Sequence, residues 1–121
     1  MNRRTLAFAL ATSVTGVVVY LSTGGGLQLP QSFAWQGLDK AQHLAAYATL
    51  GVLWSYAFGC GDGAGSVPWQ RLWGALFALG ALLEVFQWAF FPNRYFEVAD
   101  MLANGIGAGI GTLGFNRIFP T

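Results

Sequence analysis

The stretch at residues 72–91, LWGALFALGALLEVFQWAFF, decides the fold class of this chain, and Glu84 is the one charged side chain in it. An α-helix rises about 1.5 Å per residue, so a stretch of this length can cross the roughly 30 Å hydrocarbon core of a bilayer. Only helices and closed barrels satisfy every backbone polar group in lipid, and the stretch lacks the alternation of a barrel strand. It therefore predicts a transmembrane helix.

Three further stretches of the chain are nearly as apolar and about as long, at residues 5–23, 43–61 and 101–118. Four prolines lie outside the four stretches and interrupt none of them: Pro30, Pro68, Pro92 and Pro120. Because proline cannot continue a helix, these positions mark the boundaries between the spans. The sequence thus predicts an all-α fold, an integral membrane bundle of four transmembrane helices that forms a single domain over residues 1–121.

The composition agrees with lipid as the solvent. Hydrophobic residues make up 55% of the chain and charged residues 9%, whereas about a quarter of the residues of a soluble domain are charged. The net charge of +1 comes without a basic stripe, so we expect no nucleic-acid partner. The single cysteine, Cys60, excludes an internal disulfide framework and a cysteine-based zinc site.

The basic residues predict the orientation. Four arginines fall on one side of a four-span arrangement, and two basic residues fall on the other: Arg3, Arg4, Arg71 and Arg117 against Lys40 and Arg94. The positive-inside rule then places both termini in the cytoplasm. A cleaved signal peptide is the alternative for the first span, because Arg3 and Arg4 precede an apolar run that ends near Ser22.

Polar side chains gather at one end of the predicted bundle. Asp39, Lys40 and His43 open the second span, and Glu84 and Gln87 lie in the last turns of the third. Arg94 is in the connector that follows, and Asp100 and Asn104 open the fourth span. An ionised group at the centre of a span costs roughly 2.5–3.5 kcal/mol, so Glu84 should face the bundle, paired or protonated. His43, Lys40 and Arg94 are its nearest candidate partners.

Each of these residues also has a purely structural interpretation. Asp39 with Gln42 forms a variant capping box, and Asp100 is a first-turn acid that favours the helix dipole. His43 and Tyr47 can hydrogen-bond across helices, and Arg94 can anchor the chain at the interface. The glycine run at 105, 107, 109 and 111 predicts a close helix contact. It does not predict a phosphate loop, because the Lys-Ser or Lys-Thr pair that such a loop requires does not follow it.

Taken together, four segments resemble the VanZ-like family, which is named for a protein associated with low-level teicoplanin resistance. The segments are DKAQHLAAYATLG (39–51), EVFQ (84–87), PNR (92–94) and DMLANGIG (100–107). The resemblance covers about residues 39–111, and the first span carries no motif. It implies a small bacterial protein of the inner (cytoplasmic) membrane, multi-pass, in the cell envelope. The family's marked positions match Asp39, Lys40, His43, Tyr47, Glu84, Gln87, Arg94, Asp100 and Asn104.

Three hypotheses follow for the function. The first is binding or handling of an anionic envelope component, such as a lipid phosphate or a cell-wall precursor, with a link to glycopeptide resistance. Its candidate substrate-binding residues are Lys40, Arg94, Tyr47, Gln87 and Asn104. Arginine suits bidentate phosphate contact, and lysine supplies charge. The partners expected are membrane lipid, this anionic lipid or precursor, and a second copy of the chain.

The second hypothesis is phosphoryl or acyl transfer at the membrane surface, which leaves open whether the protein is an enzyme. Its candidate catalytic residues are His43, Glu84, Asp39 and Asp100, with His43 as base or nucleophile. A metal held by these residues is a variant, but one histidine and scattered acids are a poor ligand set, so no metal or cofactor is predicted. The third hypothesis is a structural or accessory subunit whose polar residues only fix the bundle.

Overall fold

The computed structural model describes residues 2–21, 33–59, 67–90 and 98–119, with the side chains of the second range described from Lys40 onward. These residues form four α-helices: α1 (Arg3–Tyr20), α2 (Phe33–Gly59), α3 (Trp69–Phe90) and α4 (Val98–Ile118). The prediction of an all-α fold with four helices is confirmed. Within the described ranges, α3 is the one helix long and apolar enough to cross a membrane by length and composition, with a mean hydropathy of 1.5. Four membrane spans therefore stay a prediction.

The second helix is longer than the predicted span, because it begins at Phe33 rather than at position 43. The span was predicted to start after the last charged residue, but helical hydrogen bonding does not stop at a charge. Asp39 consequently lies inside α2, where the backbone N–H groups that follow it can bond to the preceding turn. The capping-box interpretation of Asp39 is wrong, and its side chain lies outside the described residues.

The other helix ends follow local rules. Asn2 caps α1, since its side chain accepts a hydrogen bond from the backbone N–H of Thr5 at 2.8 Å. Pro68 stands directly before α3, where its missing N–H costs nothing. In α4, Asp100 lies in the first turn and Arg117 in the last, each at the end of the helix dipole that its charge favours.

The contact between α2 and α4 is the most extensive in the bundle, and it depends on glycines. A Cβ added at Gly107 would collide with the backbone carbonyl of Leu44, and one at Gly111 with the carbonyl of Ala48. From the other side, a Cβ at Gly51 would lie 2.9 Å from the carbonyl oxygen of Ala108. The predicted close packing through these glycines is confirmed, and it allows the two backbones to touch.

The other two glycines of the run, Gly105 and Gly109, pack against α3. A Cβ at Gly105 would collide with the ring of Phe77, and the indole N–H of Trp73 donates to the Gly105 carbonyl at 2.9 Å. Because residues two apart in a helix face different directions, the single glycine run presents one flat face to α2 and another to the aromatic side chains of α3.

The apolar core lies between the helices in two clusters. The first contains Tyr47, Leu50, Leu76 and Ala108, and joins α2, α3 and α4 at mid-height. The second contains Ala7, Ala11 and Ala57, which join α1 to α2. Along α4, the buried polar residues Asp100 and Asn104 lie on one side of Ala108 and Thr112 lies on the other.

Candidate functional site

Four polar side chains of α2 and α4 meet at one end of the bundle. His43 Nδ1 lies 3.0 Å from Asn104 Oδ1, and His43 Nε2 lies 4.0 Å from Asp100 Oδ2. Lys40 Nζ lies 3.8 Å from Asp100 Oδ1. We call these four residues the α2–α4 polar network. They occupy successive turns of their helices, so the close approach of the two backbones brings them within reach of each other.

The network constrains the imidazole of His43. A carbonyl oxygen can only accept a hydrogen bond, so His43 Nδ1 carries the hydrogen that is shared with Asn104 Oδ1. The second ring nitrogen, Nε2, faces the carboxylate of Asp100. His43 is thus oriented by one neutral and one acidic group of α4.

Exposure divides the network into an outer and an inner part. The side chains of Lys40 and His43 are 36% and 22% exposed, whereas the side chain of Asp100 is 9% exposed. Asn104 is likewise buried. A molecule that approaches this end of the bundle therefore meets the ammonium and the imidazole first, while the carboxylate stands behind them as a counter-ion.

The third helix contributes two buried polar side chains, Glu84 and Gln87, which are 4% and 7% exposed. Both interact with other groups of the bundle. The carboxyl group of Glu84 lies within electrostatic range of the Tyr47 hydroxyl, which is also buried. Glu84 thus faces the bundle, as the cost of a charge in lipid predicted.

Gly80 is a residue of this region that the sequence reasoning missed. A Cβ at Gly80 would lie 2.9 Å from Asn104 Nδ2 and 3.1 Å from Asn104 Cβ. The bare backbone of α3 therefore leaves the space that Asn104 needs to reach His43. The signal was present in the sequence as a glycine one turn before Glu84, inside an otherwise apolar helix.

The remaining predicted residues divide in two. Tyr47 is buried beneath the network, at the top of the apolar core. The side chains of Asp39 and Arg94 lie outside the described residues, so their part in the site stays a prediction. Within the described part of the chain, no group of three or more His, Cys, Asp or Glu side chains is placed to hold a metal ion.

The motifs that form the network resemble those of one family, and a comparison with family models decides the assignment. The VanZ/LLP1 model matches residues 4–119. The chain belongs to the VanZ/LLP1 family. Proteins of this family are generally membrane-associated. The match is wider than the resemblance over residues 39–111, since it includes the whole of α1 except its first residue. No curated protein and no solved structure matches the chain.

Proposed function

We propose that this VanZ/LLP1 protein is a bacterial inner-membrane protein of four transmembrane helices that binds an anionic component of the cell envelope at its outer face. The ligand is a lipid phosphate or a cell-wall precursor, and the α2–α4 polar network receives it. A contribution to glycopeptide resistance is the physiological role that the family's name points to. Both termini would face the cytoplasm.

The surface of the helices supports the membrane part of this proposal. Large apolar side chains are exposed on α1, α3 and α4, among them Leu10, Leu82 and Ile106. In the most apolar window of α3, 28% of the residues are buried, whereas the core helix of a soluble protein would be mostly buried. Soluble monomers rarely expose apolar patches of more than a few hundred Å². These exposed apolar helix faces suit a lipid environment.

The packing of α1 supports its retention in the mature protein. Ala7 and Ala11 are buried against Ala57 of α2, and the family match includes α1. A cleaved signal peptide would take this contact with it. We therefore favour an anchor helix over the signal-peptide alternative.

One observation carries the proposal of anion binding, namely that the exposed side chain of Lys40 stands in front of the buried carboxylate of Asp100. A partly exposed pair at 3.8 Å contributes only about 0–1 kcal/mol, so this contact of Lys40 with Asp100 can be exchanged at little cost. A phosphate oxygen offers it a shorter, charge-assisted hydrogen bond. Asp100 would then retain its contact with His43.

The geometry gives less support to a transfer enzyme. A general base needs a ring nitrogen within hydrogen-bond reach of the substrate, and side chains of α4 face both nitrogens of His43. Catalysis would require Asp100 or Asn104 to move aside first. A structural role accounts for the buried residues, but it does not explain why the basic groups are the exposed ones.

Binding can be measured on the purified protein in a neutral detergent. The probes are phosphatidylglycerol, a polyprenyl phosphate and, as the zwitterionic control without net charge, phosphatidylcholine. We expect Lys40→Gln to weaken binding of an anionic probe about tenfold, because a hydrogen bond to a charged group contributes about 1.5–3 kcal/mol. Arg117→Gln, which removes an exposed charge at the other end of α4, is the matched control. An equal loss of affinity for the anionic probe in both variants would indicate non-specific attraction. An unchanged affinity in Lys40→Gln would contradict the proposal.

Cysteine labelling tests the orientation separately. On a Cys60→Ser background, a reagent that cannot cross the membrane should modify a cysteine placed at Gln31 and spare one placed at Gly63. The opposite pattern would mean that the topology is inverted.

A further inference from the structure

The hydroxyl of Ser55 departs from a pattern that other hydroxyl groups of the bundle follow. Four of them donate to the carbonyl oxygen four residues earlier, at 2.7–2.8 Å: Ser13, Thr15, Thr49 and Thr112. Ser55 lies in the same helical setting and is 8% exposed, but its Oγ has no hydrogen-bond partner. A buried hydroxyl that forgoes the nearest carbonyl requires an explanation.

Ser55 borders a cavity of about 30 Å³ between the C-terminal parts of α2 and α4 and the beginning of α3. Thr112 and Asn116 of α4 are the other polar residues in its wall, and the rings of Phe58, Trp69 and Phe115 supply much of the rest. This is the end of the bundle opposite the α2–α4 polar network, since Ser55 is three turns further along α2 than His43.

The polar groups around this cavity complement one another. The hydroxyl of Thr112 donates to the carbonyl of Ala108, so its lone pairs are available to a donor. The amide of Asn116 offers both donors and an acceptor. Ser55 Oγ adds a group that can donate and accept. A cavity holds a water molecule when about 10–15 Å³ is accessible and two to four polar partners surround it. The volume meets the first condition, and Ser55, Thr112 and Asn116 are the lining residues that can meet the second.

We propose that this cavity is a binding site for one ordered water molecule, which hydrogen-bonds to Ser55 Oγ and joins α2 to Thr112 or Asn116 of α4. The volume is sufficient for a water molecule. The water would join α2 to α4 at this end of the bundle, as His43 and Asn104 join them at the other end. This inference does not depend on the anion-binding function.

The sign of a stability change tests the proposal. If water satisfies the hydroxyl, Ser55→Ala removes a hydrogen bond, and we expect the melting temperature of the full-length protein in detergent to fall by about 4 °C. If the cavity is dry, the same substitution removes a buried unsatisfied group, and the melting temperature should rise. Ser13→Ala is the matched control, because that hydroxyl is exposed, and it should leave the melting temperature unchanged. A rise or no change in Ser55→Ala would overturn the proposal.

A high-resolution map of the wild-type protein gives an independent answer. We expect a solvent peak about 2.7–3.0 Å from Ser55 Oγ and within the same range of a polar atom of Thr112 or Asn116. A map in which Ser55 is rotated onto the carbonyl of Gly51, with no peak in the cavity, would contradict the proposal whatever the melting data show.

Discussion

The contact of α2 with α4 and the contact of α2 with α1 differ in kind. Between α2 and α4, glycines allow the backbones to touch, and polar side chains meet at one end. Between α1 and α2, the contact consists of alanines and the rings of Phe8, Trp54 and Phe58. Among the described side chains, those of α1 take no part in the α2–α4 polar network. The comparison indicates that the contact of α2 with α4 holds the proposed site, while α1 packs against α2 beside it.

The largest loss of stability is expected when the glycine contact between α2 and α4 is disrupted. Gly111→Leu places a side chain against the backbone carbonyl of Ala48, and a backbone carbonyl cannot rotate away. Overpacking of a well-packed core costs about 1–3 kcal/mol, and we expect Gly111→Leu and Gly107→Leu to cost about 3 kcal/mol or more. The folded fraction after size-exclusion chromatography in detergent measures this.

Gly114→Leu on the same helix is the control, because a Cβ there has nothing within 4 Å. It should behave like the parent protein. If Gly107→Leu and Gly111→Leu also melt like the parent, the close approach of α2 and α4 is not required for folding.

The next largest effect concerns function rather than folding. Glu84→Gln keeps the volume and hydrogen-bonding capacity of a buried side chain but removes its charge, and His43→Ala removes the imidazole from the network. We expect each variant to abolish anion binding while most of the protein stays folded. We expect the double variant to be no worse than either, because non-additivity is typical of residues that act as a unit. Lipid binding and a thermal melt, measured side by side, check this.

A loss of binding only in proportion to a loss of stability would favour the structural hypothesis. Full binding in both single variants would end the proposal that Glu84 and His43 belong to one site.

Much of this architecture can be predicted from the sequence, for identifiable reasons. The four long apolar stretches and the prolines outside them predict four helices, and the glycine run of α4 predicts a close contact. Spacing alone does not reveal that Gly107 and Gly111 face α2 while Gly105 and Gly109 face α3, since that depends on how the helices cross. The role of Gly80 was missed for the same reason, because its partner Asn104 is on another helix.

A smaller effect is expected at Gly80. An added methyl group would press on Asn104, so Gly80→Ala should cost about 1 kcal/mol and weaken the contact of Asn104 with His43. Gly74→Ala, on the same helix with nothing within 4 Å of the added Cβ, should instead stabilise α3 by up to about 1 kcal/mol. A lower melting temperature in Gly80→Ala and a higher one in Gly74→Ala would support the role of Gly80. The NMR chemical shifts of the His43 ring should change in Gly80→Ala and stay unchanged in Gly74→Ala.

The smallest effect is expected at the contact between α1 and α2. Thr15 Oγ1 accepts a hydrogen bond from the indole N–H of Trp54 at 2.9 Å and donates its own hydrogen to the carbonyl of Ala11. Thr15→Val keeps the branched shape but removes the acceptor, so we expect a loss of about 1 kcal/mol with no change in anion binding. Thr49→Val is the matched control, because that exposed hydroxyl makes the same type of bond to Ala45. It should leave both quantities unchanged. A loss of anion binding in Thr15→Val would show that α1 is coupled to the network, and the distinction between an anchor helix and a functional pair would then fail.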